Sequence, residues 1–179
     1  MVDPVAASRF GHRALFVGLA ALILFVRLLP LSAEPSHWPG PDVLLCLTVV
    51  WALRRPDYSP APVIAAIFFV EDLLTLRPPG LWTLIVLVGT EFLRRRETGT
   101  RDLPFLAEWA MAGIVMAAMM LANRLAYAVF VIPEGGFGQM LAQLTVTVIA
   151  YPVLALIMQA SVGLRRAATG EVDALGHRL

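Results

Sequence analysis

The 179-residue sequence contains no lysine and a single cysteine, and only 15% of its residues are charged. All 14 of its strongly basic side chains are therefore arginines. Soluble globular domains carry about a quarter charged residues, so the composition excludes an ordinary soluble domain. A lone cysteine excludes an internal disulfide and any cysteine-based metal cluster. Because Cys46 lies in an apolar run, we interpret it as a small buried hydrophobic residue.

Catalytic and ligand-binding motifs are missing as well. The sequence has no Gly-x-Ser-x-Gly elbow, no paired zinc-ligand histidines and no nucleotide-binding motif. His12, His37 and His177 fall on opposite sides of the predicted membrane, so we expect no metal site and no other cofactor. An intramembrane enzyme is the least favoured interpretation, because no catalytic pair at suitable spacing is found. The short basic loops favour anionic lipid head groups as partners and do not indicate nucleic acid.

Most of the chain consists of apolar residues. Hydrophobic residues make up 59% of the chain and the mean hydropathy is +0.76. We therefore predict a single all-α domain, a polytopic membrane helix bundle with six transmembrane helices. The predicted helices cover residues 14–31, 41–53, 60–76, 81–93, 105–132 and 139–163. The second is about 20 Å long against a hydrocarbon core of about 30 Å, so a re-entrant hairpin is the competing interpretation.

Helix starts and the arginine distribution support this division. Gly40-Pro41-Asp42 and Ser59-Pro60 are typical of helix starts, because proline tolerates the first helical position and a carboxylate complements the positive helix end. With a cytoplasmic amino terminus, the connectors on the outer side contain only Arg77. The inner side then holds Arg9, Arg13, Arg54, Arg55, Arg94, Arg95, Arg96, Arg101, Arg165, Arg166 and Arg178. The positive-inside rule is satisfied for six crossings with both termini cytoplasmic.

Five of the charged residues inside the predicted spans lie toward the outer side. Arg27, Asp42, Glu71, Asp72 and Arg124 all fall at similar depth in the outer half of the membrane. A central charge costs about 2.5 to 3.5 kcal/mol on insertion scales, so such residues usually face one another or a polar cavity. We therefore expect Arg27 and Arg124 to pair with the three acids in one buried polar cluster.

Glu71 and Asp72 are neighbours that point about 100° apart on a helix. At most one of them is expected to be central to the cluster, and Asp72 is the better candidate because it shares its face with Ala65, Phe68 and Thr75. Three interpretations stay open for the cluster. It is an ion-pair network that fixes helix register, a docking surface for a partner's membrane helix, or a ligand or ion site.

Several short motifs together carry a family resemblance. They are Pro41-Asp42-Val43-Leu44-Leu45, Trp51-Ala52-Leu53-Arg54-Arg55-Pro56, Glu71-Asp72-Leu73-Leu74, Arg77-Pro78-Pro79-Gly80-Leu81 and Gly89-Thr90-Glu91-Phe92. This run resembles the bacterial rod shape-determining MreD family, most of all its short alphaproteobacterial members. The resemblance covers the central third of the chain closely and the rest by length and helix number.

The resemblance implies a multi-pass protein of the bacterial cytoplasmic (inner) membrane without enzymatic activity. It implies a fold similar to the substrate-binding subunit of energy-coupling-factor transporters. The expected role is a scaffold of the cell-elongation complex that binds MreC and supports lateral peptidoglycan synthesis and cell shape, with MreB, RodA and a class B penicillin-binding protein as further partners. The family's proline-aspartate motif matches Pro41-Asp42 and its third-helix aspartate matches Asp72. Glu71 stands where the family has a small or apolar residue.

The alternative function is a small-molecule (vitamin) binding membrane subunit of a transporter. It requires a roomy outer pocket lined by aromatic and hydrogen-bonding residues. The predicted outer loops supply little beyond Trp38, Trp82 and the turn at Gly135.

Overall fold

The computed structural model describes residues 4–29, 39–100, 104–132 and 135–162. Over these ranges the chain is all-helical, with six α-helices and no strand, so the predicted all-α class is confirmed. The helices are α1 (Pro4–Leu28), α2 (Val43–Arg54), α3 (Ala61–Leu74), α4 (Leu81–Thr100), α5 (Phe105–Val129) and α6 (Phe137–Val162). A short 3-10 turn, Pro56–Tyr58, joins α2 to α3.

Two helices are longer than their hydrophobic runs. Helix α1 begins at Pro4 and not at residue 14, since the polar segment continues the same helix and proline suits its first position. Helix α4 continues to Thr100, so the prediction that it ends at residue 93 before a basic connector is wrong. Arginine favours the helical conformation. Glu91 Oε1 also accepts a hydrogen bond from Arg95 Nε at 3.3 Å across one turn.

Helix α2 is the centre of the bundle. Every residue from Leu44 to Arg54 is buried, and the helix packs against α1, α4 and α6. Trp51 of α2 and Phe16 of α1 bring their ring centroids to 5.1 Å inside this core. Because its neighbours enclose α2, its length would not have to match the thickness of a bilayer.

Three of the described helices are long and apolar enough to cross a membrane. They are the segment Arg9–Leu28 of α1, and α5 and α6 over their full lengths. Helices α2 and α3, with 12 and 14 residues, rise about 18 and 21 Å, less than a hydrocarbon core of about 30 Å.

The two ends of the bundle have different chemistry. We name them the Asp42 end, where α2 begins, and the Arg54 end, where α2 finishes. Helix α1 starts at the Arg54 end, since Arg13 Nη2 donates to the carbonyl oxygen of Asp57 at 3.1 Å and His12 stacks on Tyr58. Other residues used in the sequence argument lie outside the described ranges: His37, Trp38, Arg101, Arg165, Arg166, His177 and Arg178.

Helices α3 and α5 end at the Asp42 end in the same way. The residue after each helix cap, Leu76 or Val131, has a left-handed backbone with φ of 54°. The next backbone N–H then reaches back to the helix, from Arg77 to the carbonyl of Asp72 at 3.0 Å and from Ile132 to that of Tyr127 at 2.9 Å. Both ends therefore have the Schellman bonding pattern, but without the usual glycine.

Candidate functional site

Asp42 is the N-cap of α2. Its Oδ1 accepts a hydrogen bond from the backbone N–H of Leu45 at 3.1 Å. Its own backbone N–H donates to the hydroxyl of Thr147 at 3.0 Å, and Cys46 Sγ donates to the carbonyl of Thr147 at 3.2 Å. Because Asp42 is only 4% exposed, its carboxylate complements the positive end of α2 from a buried position against α6.

The position of the Asp42 cap along the bundle can be measured against α6. Thr147 lies ten residues after the first residue of α6, Phe137, which is about 15 Å along the helix axis. Helix α2 therefore begins well below the level at which α6 begins. The start of α2 forms a recess that is surrounded by longer helices.

Asp72 lies in α3 but caps the start of α4. Its Oδ2 accepts hydrogen bonds from the backbone N–H groups of Gly80 at 3.0 Å and Thr83 at 3.2 Å, and from the Thr83 hydroxyl at 2.9 Å. Gly80 precedes α4 and has no side chain that could accept hydrogen bonds from the first N–H groups of this helix. The carboxylate from α3 supplies this function, because the first N–H groups of a helix need acceptors and its dipole favours an anion.

Glu71 forms an ion pair with Arg27. The Glu71 side chain is fully buried, whereas the Arg27 side chain is 34% exposed. This contact joins the last turn of α1 to the end of α3 at the Asp42 end. It fixes the position of these two helices relative to each other.

Both neighbouring acids are therefore buried, and the prediction that only one of them is inward is wrong. Helix α3 is covered on two sides, so side chains about 100° apart reach different neighbours. Glu71 contacts α1 and Asp72 contacts α4. Among the described residues, the second oxygen of each carboxylate, Glu71 Oε2 and Asp72 Oδ1, is buried without a hydrogen-bond partner.

Four of the five predicted residues lie close together. Glu71 is within electrostatic reach of Arg27, Asp42 and Asp72, and also of Arg77, which follows α3. These charges come from three separate helices and one turn. At the Asp42 end these opposite charges and helix ends can compensate one another, as charges inside an apolar bundle require.

Arg124, the fifth predicted residue, lies in α5, and its side chain reaches the turn between α5 and α6. Its Nη1 donates to the carbonyl oxygen of Gly135 at 3.0 Å, and its guanidinium lies over the ring of Phe137 at 5.4 Å. Arg124 therefore closes the α5–α6 turn, and it also faces the cavity beside Asp42.

The cavity opens at the Asp42 end above the recessed start of α2 and has a volume of about 460 Å³. Its wall combines two cations, one carboxylate, three amide side chains and two aromatic side chains. In chain order these are Asp42, Arg77, Trp82, Asn123, Arg124, Tyr127, Gln139 and Gln143. An aqueous or ligand-filled chamber at this place would keep the charged groups solvated inside a mainly apolar bundle.

A second buried ionic cluster lies at the Arg54 end. Glu108 Oε1 accepts hydrogen bonds from Arg54 Nε at 3.2 Å and from the Tyr151 hydroxyl at 2.6 Å. Arg54 Nη1 also donates to the carbonyl of Ala155 at 3.2 Å and to Gln159 Oε1 at 3.4 Å. The cluster joins α2, α5 and α6, with Arg54 5% and Glu108 2% exposed.

Sequence reasoning missed this cluster because it counted Arg54 among the arginines at the inner side of the membrane. The sequence of α5 contains a pattern that indicates a buried carboxylate. Glu108, Ala112, Met116 and Met119 recur at helical spacing, and all four are buried. A carboxylate on the apolar face of a helix needs a buried cation, and Arg54, the last residue of an otherwise uncharged helix, supplies it.

Comparison of the chain with protein-family models, with curated proteins and with solved structures gives no match. The functional interpretation therefore rests on the residues and their geometry. Among the described residues, no group of three histidine, cysteine or acidic side chains is placed to hold a metal ion.

Proposed function

We propose that this chain is a non-enzymatic membrane scaffold of the bacterial cell-elongation complex. In this proposal it crosses the cytoplasmic membrane six times and holds the single membrane helix of MreC. The observation that best supports the proposal is that the buried carboxylates cap helices or join one helix to another. Asp42 and Asp72, which carry the family resemblance, are both helix caps, and Glu71 and Glu108 both join helices through arginines.

Helices that are fixed by buried acids suit a scaffold that binds another protein. Each buried acid fixes the start or the register of one helix against another, so the outer surface keeps a defined shape. A partner helix that binds without a hydrophobic driving force depends on close packing, which requires a rigid surface. Exposed apolar side chains on α1, α5 and α6, among them Leu22, Ile114 and Leu156, provide that surface.

The proposed orientation places the Arg54 end in the cytoplasm. Arg13, Arg54 and Arg55 lie at this end, together with the arginines at 94–96 near the end of α4. This asymmetry favours contact with cytoplasmic anionic lipids. It also places this end on the side where MreB would act, while RodA and a class B penicillin-binding protein would lie beside the bundle in the membrane.

Site-directed cross-linking tests the scaffold proposal. Single cysteines at Leu22, Ile114 and Leu156 are combined with cysteines along the MreC membrane helix, and Ala20, buried on α1, serves as the matched control. Cross-links that concentrate on one exposed face, with none at Ala20, would support the proposal. Absence of cross-links at every exposed position, together with failure of MreC to co-purify, would overturn it.

The cavity supports a second candidate, a small-molecule binding membrane subunit. Sequence analysis required a roomy pocket lined by aromatic and hydrogen-bonding side chains for this function. The chamber of about 460 Å³ at the Asp42 end has Trp82 and Tyr127 together with three amides in its wall. Retention of a small molecule through purification would favour this candidate over the scaffold.

A further inference from the structure

We propose that the outer face of the α3–α4 hairpin binds lipid acyl chains and thins the bilayer leaflet at the Asp42 end. Beside this hairpin the hydrocarbon core would be about 20 Å thick, against about 30 Å beside α5 and α6. The inference requires that α3 and α4 cross the membrane, as the six-span proposal states. It does not depend on MreC.

The helices share one level at the Arg54 end. Glu108, in the first turn of α5, accepts a hydrogen bond from Arg54 at the end of α2. Asp57, in the turn before α3, accepts one from Arg13 of α1 through its carbonyl oxygen. The start of α5, the end of α2 and the turn before α3 therefore lie together, so differences in helix length appear at the Asp42 end.

The short helices define a second level. From Arg54 back to Asp42, the 12-residue α2 rises about 18 Å, and the 14-residue α3 rises about 21 Å. On α5 the segment from Glu108 to Leu121 covers about 20 Å. Leu121 therefore lies at about the level at which α3 ends, and the adjacent Met120 lines the cavity together with Asp42.

Helices α5 and α6 continue beyond this level. Val129, the last residue of α5, lies about 12 Å beyond Leu121, and α6 begins about 15 Å before Thr147, which contacts Asp42. The exposed side chains on this additional part of α5 are apolar, as at Leu125 and Val129. The hydrophobic surface of the bundle is therefore taller beside α5 than beside α3.

The outer face of the α3–α4 hairpin has the pattern of a lipid-facing surface. Every exposed residue of α3 is apolar, and α4 exposes Leu84, Val88 and Phe92 at intervals of one turn. Within the next turn this stripe reaches Arg95, whose side chain is 78% exposed and pairs with Glu91. An apolar stripe that ends on an arginine is typical of a helix that passes from acyl chains to head groups.

The turn at the other end of the hairpin sets its height. The apolar face stops at Leu76, which is 94% exposed, because Arg77 and two prolines follow. A hydrocarbon core of about 30 Å would cover the polar groups of this turn with acyl chains. Unsatisfied backbone groups are costly in hydrocarbon, whereas mismatch costs little per ångström, so local thinning is the favoured response.

Spin labelling of the full chain in dioleoylphosphatidylcholine vesicles tests the proposal. Nitroxides are attached to Phe69→Cys in α3, Leu76→Cys after α3 and Leu121→Cys in α5, all at exposed positions, while the buried Cys46 stays unlabelled. Collisions with oxygen and with a water-soluble nickel chelate give the depth of each label. Leu76→Cys is expected at the hydrocarbon boundary, and Leu121→Cys about 10 Å deeper although both lie at one level of the bundle.

Dimyristoleoylphosphatidylcholine provides the matched control, because its thinner bilayer already fits α3. The Leu121→Cys label should move toward the boundary in this lipid, while the Leu76→Cys label keeps its depth. Equal changes at the two positions would contradict local thinning. Pro79→Cys and Leu125→Cys, also exposed, form a second pair with the same expected order of depths, for use if a first variant fails to fold.

The other outcomes separate the proposals. Equal depth at Leu76 and Leu121 in dioleoylphosphatidylcholine would overturn the thinning and leave the six spans intact. Shielding of Phe69 from both oxygen and nickel would also overturn it, because a second copy of the chain would then cover this face. Access of nickel to Phe69 would place α3 in water and overturn the six-span proposal as well. None of these results bears on cross-linking to MreC.

Discussion

Asp72 and Thr83 meet through two hydrogen bonds on a single carboxylate oxygen, from the Thr83 backbone N–H at 3.2 Å and its hydroxyl at 2.9 Å. Asp72 is in the last turns of α3, and Thr83 is in the first turn of α4. The pair therefore sets the angle at which the chain returns through the bundle.

Replacing Asp72 with alanine should destabilise the protein by about 2 kcal/mol, because two N–H groups and a hydroxyl lose a charged acceptor in a buried place. Asp72→Asn keeps one carbonyl oxygen and should cost less. Thermal unfolding in detergent, followed by circular dichroism, measures both. Glu91→Gln, which removes an exposed ion pair on the same hairpin, is the control and should cost less than about 0.5 kcal/mol. Equal stability of the Asp72→Ala and wild-type proteins would contradict the capping role.

Mutations of Arg54 and Glu108, which form the buried ion pair at the Arg54 end, should have non-additive effects on the free energy of unfolding. Glu108→Ala leaves Arg54 buried without its counter-charge and should cost about 3 to 5 kcal/mol. The double variant Arg54→Ala with Glu108→Ala should lose less free energy of unfolding than the sum of its two single variants, since no unpaired charge remains. A double-mutant cycle by chemical unfolding gives the coupling energy. Additive losses would show that the two residues act separately.

Val131 offers a stabilising substitution. It is a β-branched residue with φ of 54° and 86% exposure, a backbone conformation that glycine adopts without the side-chain clash. Val131→Gly should raise the free energy of unfolding by about 1 kcal/mol. Val129→Gly, in the last helical turn of α5, is the matched control and should lower it by about the same amount. A decrease in both variants would rule out strain at Val131.

The turn after α2 and the turn after α3 should lie on opposite sides of the membrane. Leu76→Cys should react with a membrane-impermeant maleimide in intact cells, and Asp57→Cys only after permeabilisation. Both positions are exposed, and the native Cys46 is fully buried and should not react. Labelling of both cysteines from the same side would contradict the six-span topology.

Local sequence patterns located the helices well where a cap or a proline marks the start. Asp42 and Pro60 gave starts within two residues of those observed, at Val43 and Ala61. The end of α4 was missed, because the arginines at 94–96 mark the end of the apolar run and not the end of the helix. Hydrophobicity reports burial and lipid contact, whereas a helix can continue into water when its residues favour it.

Partners of the buried charges were harder to predict than the end of the bundle at which the charges lie. Placing Asp72 against Gly80 and Thr83 depends on the geometry of the α3–α4 turn, where Leu76 has an unusual backbone conformation. The Glu108 pair depends on which face of α5 meets the end of α2. Neither relationship has a signal within a single helical segment, so a single sequence indicates the end of a helix at which a charge lies more readily than the residue that it contacts.

The enclosed position of α2 has a consequence for biogenesis. A helix of 12 residues is shorter than the roughly 20 apolar residues that commit a segment to the bilayer on its own. Its polar ends, Asp42 and Arg54, contact partners on α6 and α5, which follow it in the sequence. We therefore expect α2 to reach its final enclosed position only after α5 and α6 have been synthesised.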